Sequence, residues 1–328
     1  MLSDKIANQI RQLGPISIAD FMGQVAYYYY NSKDPFGVKG DFVTAPEVSQ
    51  LFGEVLGAWV ADCWMKLGAP EKFLLIEYGP GRGTLMADML RMIKHLPPCF
   101  QACHIHLIEQ SSILKNIQMQ TLEDYTVHWH DSLDEIDIDV PVIVIGNEFL
   151  DALPIHQYEK VGQDWFERDI KLTNEGELSI GLKPLSLKVA DIQGSGVFEL
   201  SPAREAIIEE LSAVEGIKLF IDYGHFETSF GDTLQAVKSH EYVDILDHIG
   251  EADITSHVDF EALSMAAQGH IYPFITQGEF LQNLGIIERA RKIGAEDGWQ
   301  RLIDAKQMGV LFKVFCFSDK DYGLEGFV

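Results

Sequence analysis

Two periodicities divide the chain. Up to about residue 70, apolar residues recur at helical spacing. Ile6, Ile10 and Leu13 share one face of residues 3–13, with Ser3 as candidate N-cap and Gly14-Pro15 as the stop. Val48, Leu51, Phe52, Val55, Leu56, Trp59, Val60 and Trp64 predict one amphipathic helix over 46–67, ended by Gly68 and Pro70. From residue 72 short apolar runs take over: "KFLLIEYG" (72–79), "HIHLIEQ" (104–110), "YTVHWHD" (125–131), "PVIVIGNE" (141–148) and "IKLFIDYG" (217–224). These read as buried strands. Leu85, Met86, Met89, Leu90 and Ile93 form a helix between the first two, so the pattern is βαβ with a mostly parallel sheet. Residues 155–200 break the alternation with two antiparallel ribbons, and "GVLFKVFCF" (309–317) predicts a last, antiparallel strand.

Composition narrows the function classes. The chain has 328 residues, 47% of them hydrophobic, which is enough for a large core. No apolar run reaches 18 residues, so no membrane insertion is expected. The start lacks a signal-peptide or transit-peptide layout, and the four cysteines (Cys63, Cys99, Cys103, Cys316) fit a reduced compartment. That predicts a bacterial cytoplasmic protein, or one of the mitochondrial matrix if the source is a eukaryote. A net charge of −25 opposes a broad phosphate-binding surface, so no nucleic-acid partner is expected.

Four of the five strands end in an acid: Glu77, Glu109, Glu148 and Asp222. In open α/β sheets ligands bind beyond the carboxyl ends of the strands. The first tip continues into "EYGPGRGT" (77–84), with Gly79, Gly81 and Gly83 spaced G-x-G-x-G. Dinucleotide folds use G-x-G-x-x-G to bring N–H groups to a pyrophosphate, but Pro80 has no N–H and Glu77 is negative. A P-loop would need Lys-Ser/Thr after the glycines. S-adenosylmethionine suits the turn better, because it carries a sulfonium, an α-amino group and a ribose but no phosphate. Glu77 then organises its cationic end and Glu109 takes the ribose hydroxyls.

Long strings also carry a resemblance: "KGDFVTAPEVSQLFGE" (39–54), "EYGPGRGTLMADMLR" (77–91), "GNEFLDALPIHQY" (146–158), "IDYGH" (221–225), "GDTLQAVKSH" (231–240), "EADITSHVDF" (251–260), "TQGEFLQNLGI" (276–286) and "MGVLFKVF" (308–315). In this order, over nearly the whole chain, the sequence resembles the MidA-like family of class I S-adenosylmethionine-dependent methyltransferases, which includes a mitochondrial complex I assembly factor. The resemblance implies an α/β Rossmann-like fold with a mostly parallel seven-stranded sheet, bound S-adenosylmethionine, and methylation of an arginine on a protein substrate, a respiratory-complex subunit or its bacterial counterpart. It also implies that Asp41, Thr44, Pro46 and Glu47 of "GDFVTAPE" close over the cofactor, alongside Thr84 and Asp131. Two departures stand out. The tract before "DPFG" is shortened to "AYYYYNSK", and Ile249 replaces the proline usual before "GEAD". The first weakens any transfer of substrate identity.

The expected organisation is an N-terminal helical segment (1–70), a methyltransferase core (71–154 and 201–328) and a β-rich insert (155–200), possibly as a homodimer. Asn147, Glu148 and Asp151, where the fourth strand meets its loop, are the catalytic candidates. A guanidinium is almost always protonated, so carboxylates there would hold it and accept its proton. The same acids also suit a helix N-terminus. Asp222 and Tyr223 rank second, and His257, a weaker candidate, reads more readily as a buried core histidine. Thr44 and Glu47 fit a T-x-x-E capping box as well as a cofactor lid. Tyr27–Tyr30 read either as a wall of a substrate channel or as an extended run packing on both sides. Cys99, Cys103, His104 and His106 lack zinc-site spacing and are expected at core or edge positions. Two alternatives stay open: methylation of a small molecule or RNA, and a non-catalytic assembly factor that binds S-adenosylmethionine.

Overall fold

Apolar strands that alternate with amphipathic helices stack into three layers in the computed structural model, which describes residues 1–32, 43–185, 194–296 and 298–327. The chain opens with α1 (Leu2–Leu13), β1 (Ile16–Ser17), α2 (Ile18–Tyr30), α3 (Ala45–Val48) and α4 (Gln50–Lys66). Strand and helix then alternate through β2 (Phe73–Tyr78), α5 (Thr84–Ile93), α6 (Pro97–Ala102), β3 (Cys103–Ile108), α7 (Ser112–Thr121), β4 (Val127–His130) and β5 (Val142–Asn147). The insert follows as β6 (His156–Val161), β7 (Asp164–Leu172), β8 (Leu178–Pro184) and β9 (Gly196–Leu200). The chain returns through α8 (Pro202–Ser212) and β10 (Gly216–His225), then a small antiparallel sheet of β11 (Gln235–Lys238), β12 (Glu241–Val243) and β13 (Asp253–Thr255). After β14 (Val258–Asp259), α9 (Phe260–Ala266), β15 (His270–Ile271), β16 (Ile275–Thr276), α10 (Gln277–Asn283), α11 (Ile286–Ile293) and α12 (Met308–Leu311), the chain closes with β17 (Phe312–Ser318).

The central sheet runs β17-β10-β5-β2-β3-β4, with every neighbouring pair parallel except the antiparallel β10–β17. The expected count of seven strands becomes six full strands with the two-residue segments β14, β15 and β16 added at β10 and β17. Because the sheet is covered on both faces, β2 and β5 are buried at every position. α4 and α5 pack on one face, and α8 and α9 on the other. The insert forms the antiparallel sheet β1-β7-β6-β9, with β8 added to β7. α1 and α2 lie on it, burying Ile6, Ile10, Phe21 and Met22 with Ile155 and Ile170.

Several local expectations are corrected. The helix expected over 46–67 is broken at Ser49, whose extended backbone (ψ 133°) and hydroxyl, which accepts from Leu51 N, cap α4. Met1, not Ser3, is the N-cap of α1, because Asp4 turns back to the terminal amine at 3.0 Å. Tyr27–Tyr30 are the last turn of α2, not an extended run. The final strand starts at Phe312, since 308–311 are helical.

Candidate active site

β2 ends at Tyr78, and the turn Gly79-Pro80-Gly81-Arg82-Gly83 carries the chain into α5. Gly79, Gly81 and Gly83 have φ of 59°, 53° and 80°, a region that side chains with a Cβ seldom enter. Gly79 has a second constraint, since a Cβ there would meet Cδ2 of Phe149 at 2.8 Å. The turn is closed by Gly83 N donating to Pro80 O at 2.7 Å.

Two cavities meet at this turn. The smaller is walled by Glu77, Asn147, Glu148 and Thr84, and roofed by Thr44, Pro46 and Glu47. Glu77 is only 2% exposed, and its Oε2 has no hydrogen-bond partner among the described residues. Burial, and then the charge of Glu109, push its carboxyl up to about 8. Asn147, 9% exposed, likewise has an Oδ1 without a partner among the described residues. Two buried acceptors without donors suit a cation bearing N–H groups. The amino-acid end of S-adenosylmethionine is such a group, and a pyrophosphate is not.

Glu47 and Thr44 correct the capping-box expectation. Thr44 stands at the N-cap of α3, but its hydroxyl accepts no backbone bond. Glu47 instead receives the Thr84 hydroxyl at 2.6 Å, and Arg82 lies 3.9 Å away, so its carboxylate ties the roof to the glycine turn. Asp41 lies outside the described residues.

The larger cavity, about 490 Å³, runs from the tips of β3 and β4 to α2. Glu109 sits in its wall, with Oε1 accepting from Ser111 N at 2.8 Å and Oε2 from Gln118 Nε2 at 3.1 Å. Each oxygen keeps a lone pair for a ribose hydroxyl. Asp131 lines the same cavity and pairs with Lys115. Gln118 was not singled out in the sequence. Fully buried, its Nε2 also donates to Gly81 O at 2.7 Å and its Oε1 accepts from Trp129 Nε1 at 3.0 Å, which locks the turn to the Glu109 strand tip. Its signal was a polar residue in the apolar stripe Leu114–Gln118–Leu122.

At the tip of β5, Glu148 lines both cavities. It holds a φ of 50°, unusual for a residue with a Cβ, and such backbone gathers at functional sites. Its Oε1 accepts from Ala45 N at 2.8 Å and from Asn147 Nδ2 at 3.1 Å. Burial outweighs these donors and raises its carboxyl to about 7. Asp151, 7% exposed, contributes to neither cavity wall and lies behind the loop. Burial raises it to about 6, opposed by a Tyr223 hydrogen bond and the Arg204 guanidinium.

Arg204 is the second residue missed in the sequence. Buried on α8, it donates to Leu150 O and His257 O at 2.7 Å, to Ser256 Oγ at 2.7 Å, and to Asp151 O and Ser256 O at 3.2 Å. Asp222 completes the clamp, accepting from Leu150 N, Asp151 N and Tyr223 N at 2.9–3.1 Å. Asp222 therefore holds the β5 loop. Tyr223 packs edge-on against His257 at 5.3 Å, and burial lowers the affinity of that imidazole for a proton. Cys103 and His104 sit at the start of β3, the end of the strand remote from Glu109. Cys99 is in the core, and His106 stacks on His128 and His130 at 5.1 Å.

A six-stranded, mostly parallel sheet with ligand-facing acids at its strand tips and a glycine turn opening the first helix defines the α/β fold of class I S-adenosylmethionine-dependent methyltransferases. Residues 55–273 match the model of a family of S-adenosyl-L-methionine-dependent methyltransferases, and the chain belongs to that family. It is 34% identical to the Caenorhabditis elegans homologue of the mitochondrial protein arginine methyltransferase NDUFAF7, over 98% of this chain and 83% of that one. The human NDUFAF7 protein is also 34% identical, over 94% of this chain and 81% of its own. A Burkholderia thailandensis crystal structure with bound S-adenosyl-homocysteine superposes with a TM-score of 0.87 at 28% identity, covering 97% of this chain and 91% of that one. The protein is thus an S-adenosylmethionine-dependent methyltransferase. The two NDUFAF7 relatives are mitochondrial by name, so they lend no support to a cytoplasmic location. No helix among the described residues is long and apolar enough to cross a membrane.

Proposed function

We propose that this methyltransferase modifies an arginine side chain of a protein, as its curated relatives do by name, and that Glu148 is the residue that receives the acceptor. The observation that carries this reading is the position of Glu148: a half-buried carboxyl raised to about 7, at the junction of the two cavities.

S-adenosylmethionine, when bound, supplies an electrophilic methyl group on a sulfonium. Glu77, Asn147 and the roof residues Thr44, Pro46 and Glu47 hold its amino-acid end. Gly79, Gly81 and Gly83, with Thr84 pinning Glu47, give the backbone close access to it, and Glu109 with Asp131 takes the ribose side. Glu148 binds the guanidinium, localises its charge away from the attacking nitrogen, and takes the proton that this nitrogen releases. A carboxyl of ordinary acidity would be a poor proton acceptor, so the elevation suits the task. Asp151 acts from behind, through Tyr223 and the Arg204 clamp, and orients the loop that carries Glu148.

The acceptor protein in this reading is a respiratory-complex subunit, in the mitochondrial matrix or its bacterial counterpart in the cytoplasm. Mass spectrometry of those subunits from cells with and without the gene tests it. A methyl mark lost from one arginine, restored by the wild-type gene and not by Glu148→Gln, supports the reading. An unchanged set of arginines, with S-adenosylmethionine binding intact, rejects it.

A further inference from the structure

We propose that the last turn of α2 is the acceptor wall of the larger cavity and that Tyr30 is a specificity residue selecting a guanidinium there. This rests on the reading of the chain as a protein arginine methyltransferase.

Tyr27, Tyr30 and Asn31 line the same cavity as Glu148 and Phe149. Tyr30 is anchored at three points. Its hydroxyl donates to Asp253 Oδ1 at 3.0 Å, its carbonyl accepts from Ser111 Oγ at 2.6 Å, and its ring packs edge-on against buried Tyr29 at 5.1 Å. Ser111 in turn gives its N–H to Glu109. The acceptor wall is therefore tied to the same side chain that faces the ribose, through one serine. An aromatic ring held this way is positioned before any acceptor arrives, and preorganisation lowers the entropy lost on binding.

The charge of the cavity selects the occupant. The described lining residues include Glu109, Asp131, Glu148 and Glu210 but no lysine or arginine. Asp131 is paired with Lys115, while Glu109 and Glu148 accept only from neutral donors, so Glu109, Glu148 and Glu210 carry the field that meets a ligand. An anionic acceptor is repelled from such walls. A planar, weakly hydrated guanidinium stacks on aromatic rings, whereas a compact ammonium holds its water more tightly. Burial and the charges of Asp253 and Asp151 keep the Tyr30 hydroxyl protonated, so it works as a donor and a ring, not as a base.

The probe is acetyl-Gly-Arg-Gly-amide, titrated by NMR into protein saturated with S-adenosyl-homocysteine, alongside the same peptide with lysine. The wild type is expected to favour the arginine peptide by roughly tenfold or more. Tyr30→Leu is expected to lose most of that ratio, Tyr30→Phe, which keeps the ring but gives up the Asp253 anchor, to fall between that and the wild type, and both to retain S-adenosyl-homocysteine affinity. Tyr30→Met, whose unbranched side chain adapts to an irregular space, repeats the measurement if Tyr30→Leu does not fold. An arginine preference that survives in Tyr30→Leu or Tyr30→Met overturns the assignment of Tyr30 and leaves the arginine reading intact. A wild type that does not distinguish the two peptides removes the arginine reading, and this inference with it.

Discussion

The two ends of the ligand site are built differently. The proposed cofactor end centres on one short stretch: Glu77, Gly79, Gly81, Gly83 and Thr84 lie within eight residues and turn on three positive φ angles, with Glu47 and Gln118 each brought to it across 37 residues. The proposed acceptor end is assembled from more distant pieces. Ala45 meets Glu148 across 103 residues, Tyr30 meets Asp253 across 223, and Arg204 reaches the 150–151 and 256–257 segments. A site centred on one turn can keep one chemistry more easily than a site whose parts come from segments more than a hundred residues apart. That difference lets one fold keep its methyl donor while its acceptors diverge.

The comparison predicts separable effects. The largest is on catalysis. Glu148→Gln should lower kcat by roughly 10²–10⁴-fold, the range for a lost general base, while S-adenosyl-homocysteine affinity by calorimetry stays within about threefold. In the proposed role Glu148 works as the carboxylate, and its carboxyl is raised to about 7, so kcat/KM of the wild type should fall as pH drops through about 7. In Glu148→Gln that acidic limb should vanish. A limb that persists unchanged would assign it to another group.

Next comes the clamp. Arg204→Met leaves four carbonyls and a serine hydroxyl without their buried donor, and should destabilise the protein by about 3–5 kcal/mol in denaturant melts. At temperatures where the variant stays folded, acceptor turnover should suffer more than cofactor affinity. Equal losses at both ends would mean that the two are not independent.

Gly79→Ala strikes the glycine turn, which both cavities share. The strained φ and the contact with Phe149 should cost about 1–3 kcal/mol and weaken S-adenosyl-homocysteine binding roughly 10–100-fold by calorimetry. An alanine variant that binds normally would show that backbone approach at this turn is not needed.

The smallest effect has the opposite sign for stability. Burial makes the folded state hold the Glu77 proton up to about pH 8, well above its unfolded value near 4.5. Its ionisation therefore opposes folding increasingly as pH rises from about 4.5 to 8, and by a constant amount above that. Glu77→Gln without ligand should melt roughly 2–4 °C above the wild type at pH 8 and equal it near pH 4, read by calorimetric scans. The same variant should lose S-adenosylmethionine affinity. A wild type as stable as the variant at pH 8 would mean that Glu77 is compensated by a charge not described above.

Legibility followed the same division. The strand tips, the Gly-rich turn and the acid at each tip could be read because each is a short contiguous pattern with a known physical purpose. Glu47 was visible but open between two readings: T-x-x-E is a cap by local rules and also part of a lid, and only the approach of Thr84 shows which partner its carboxylate takes. Tyr27–Tyr30 lack the polar alternation that marks a helix face, so the packing of α2 on the insert decided their conformation. Gln118 and Arg204 looked like ordinary polar residues on amphipathic helices until burial showed what they hold.

By itself, the sequence determined the βαβ order, the parallel sheet, the chemistry of the cofactor turn and the acids poised at the strand ends. These depend on neighbours within a few residues, where spacing and backbone sterics leave little choice. Tertiary structure alone decided that Glu148 stands in the cavity walls while Asp151 stands behind, that Asp222 is a pin for the β5 loop, and that the end of α2 faces the ligand space. Each of those outcomes depends on which distant backbone N–H, hydroxyl or guanidinium arrives to satisfy a buried oxygen, and no local pattern specifies that partner.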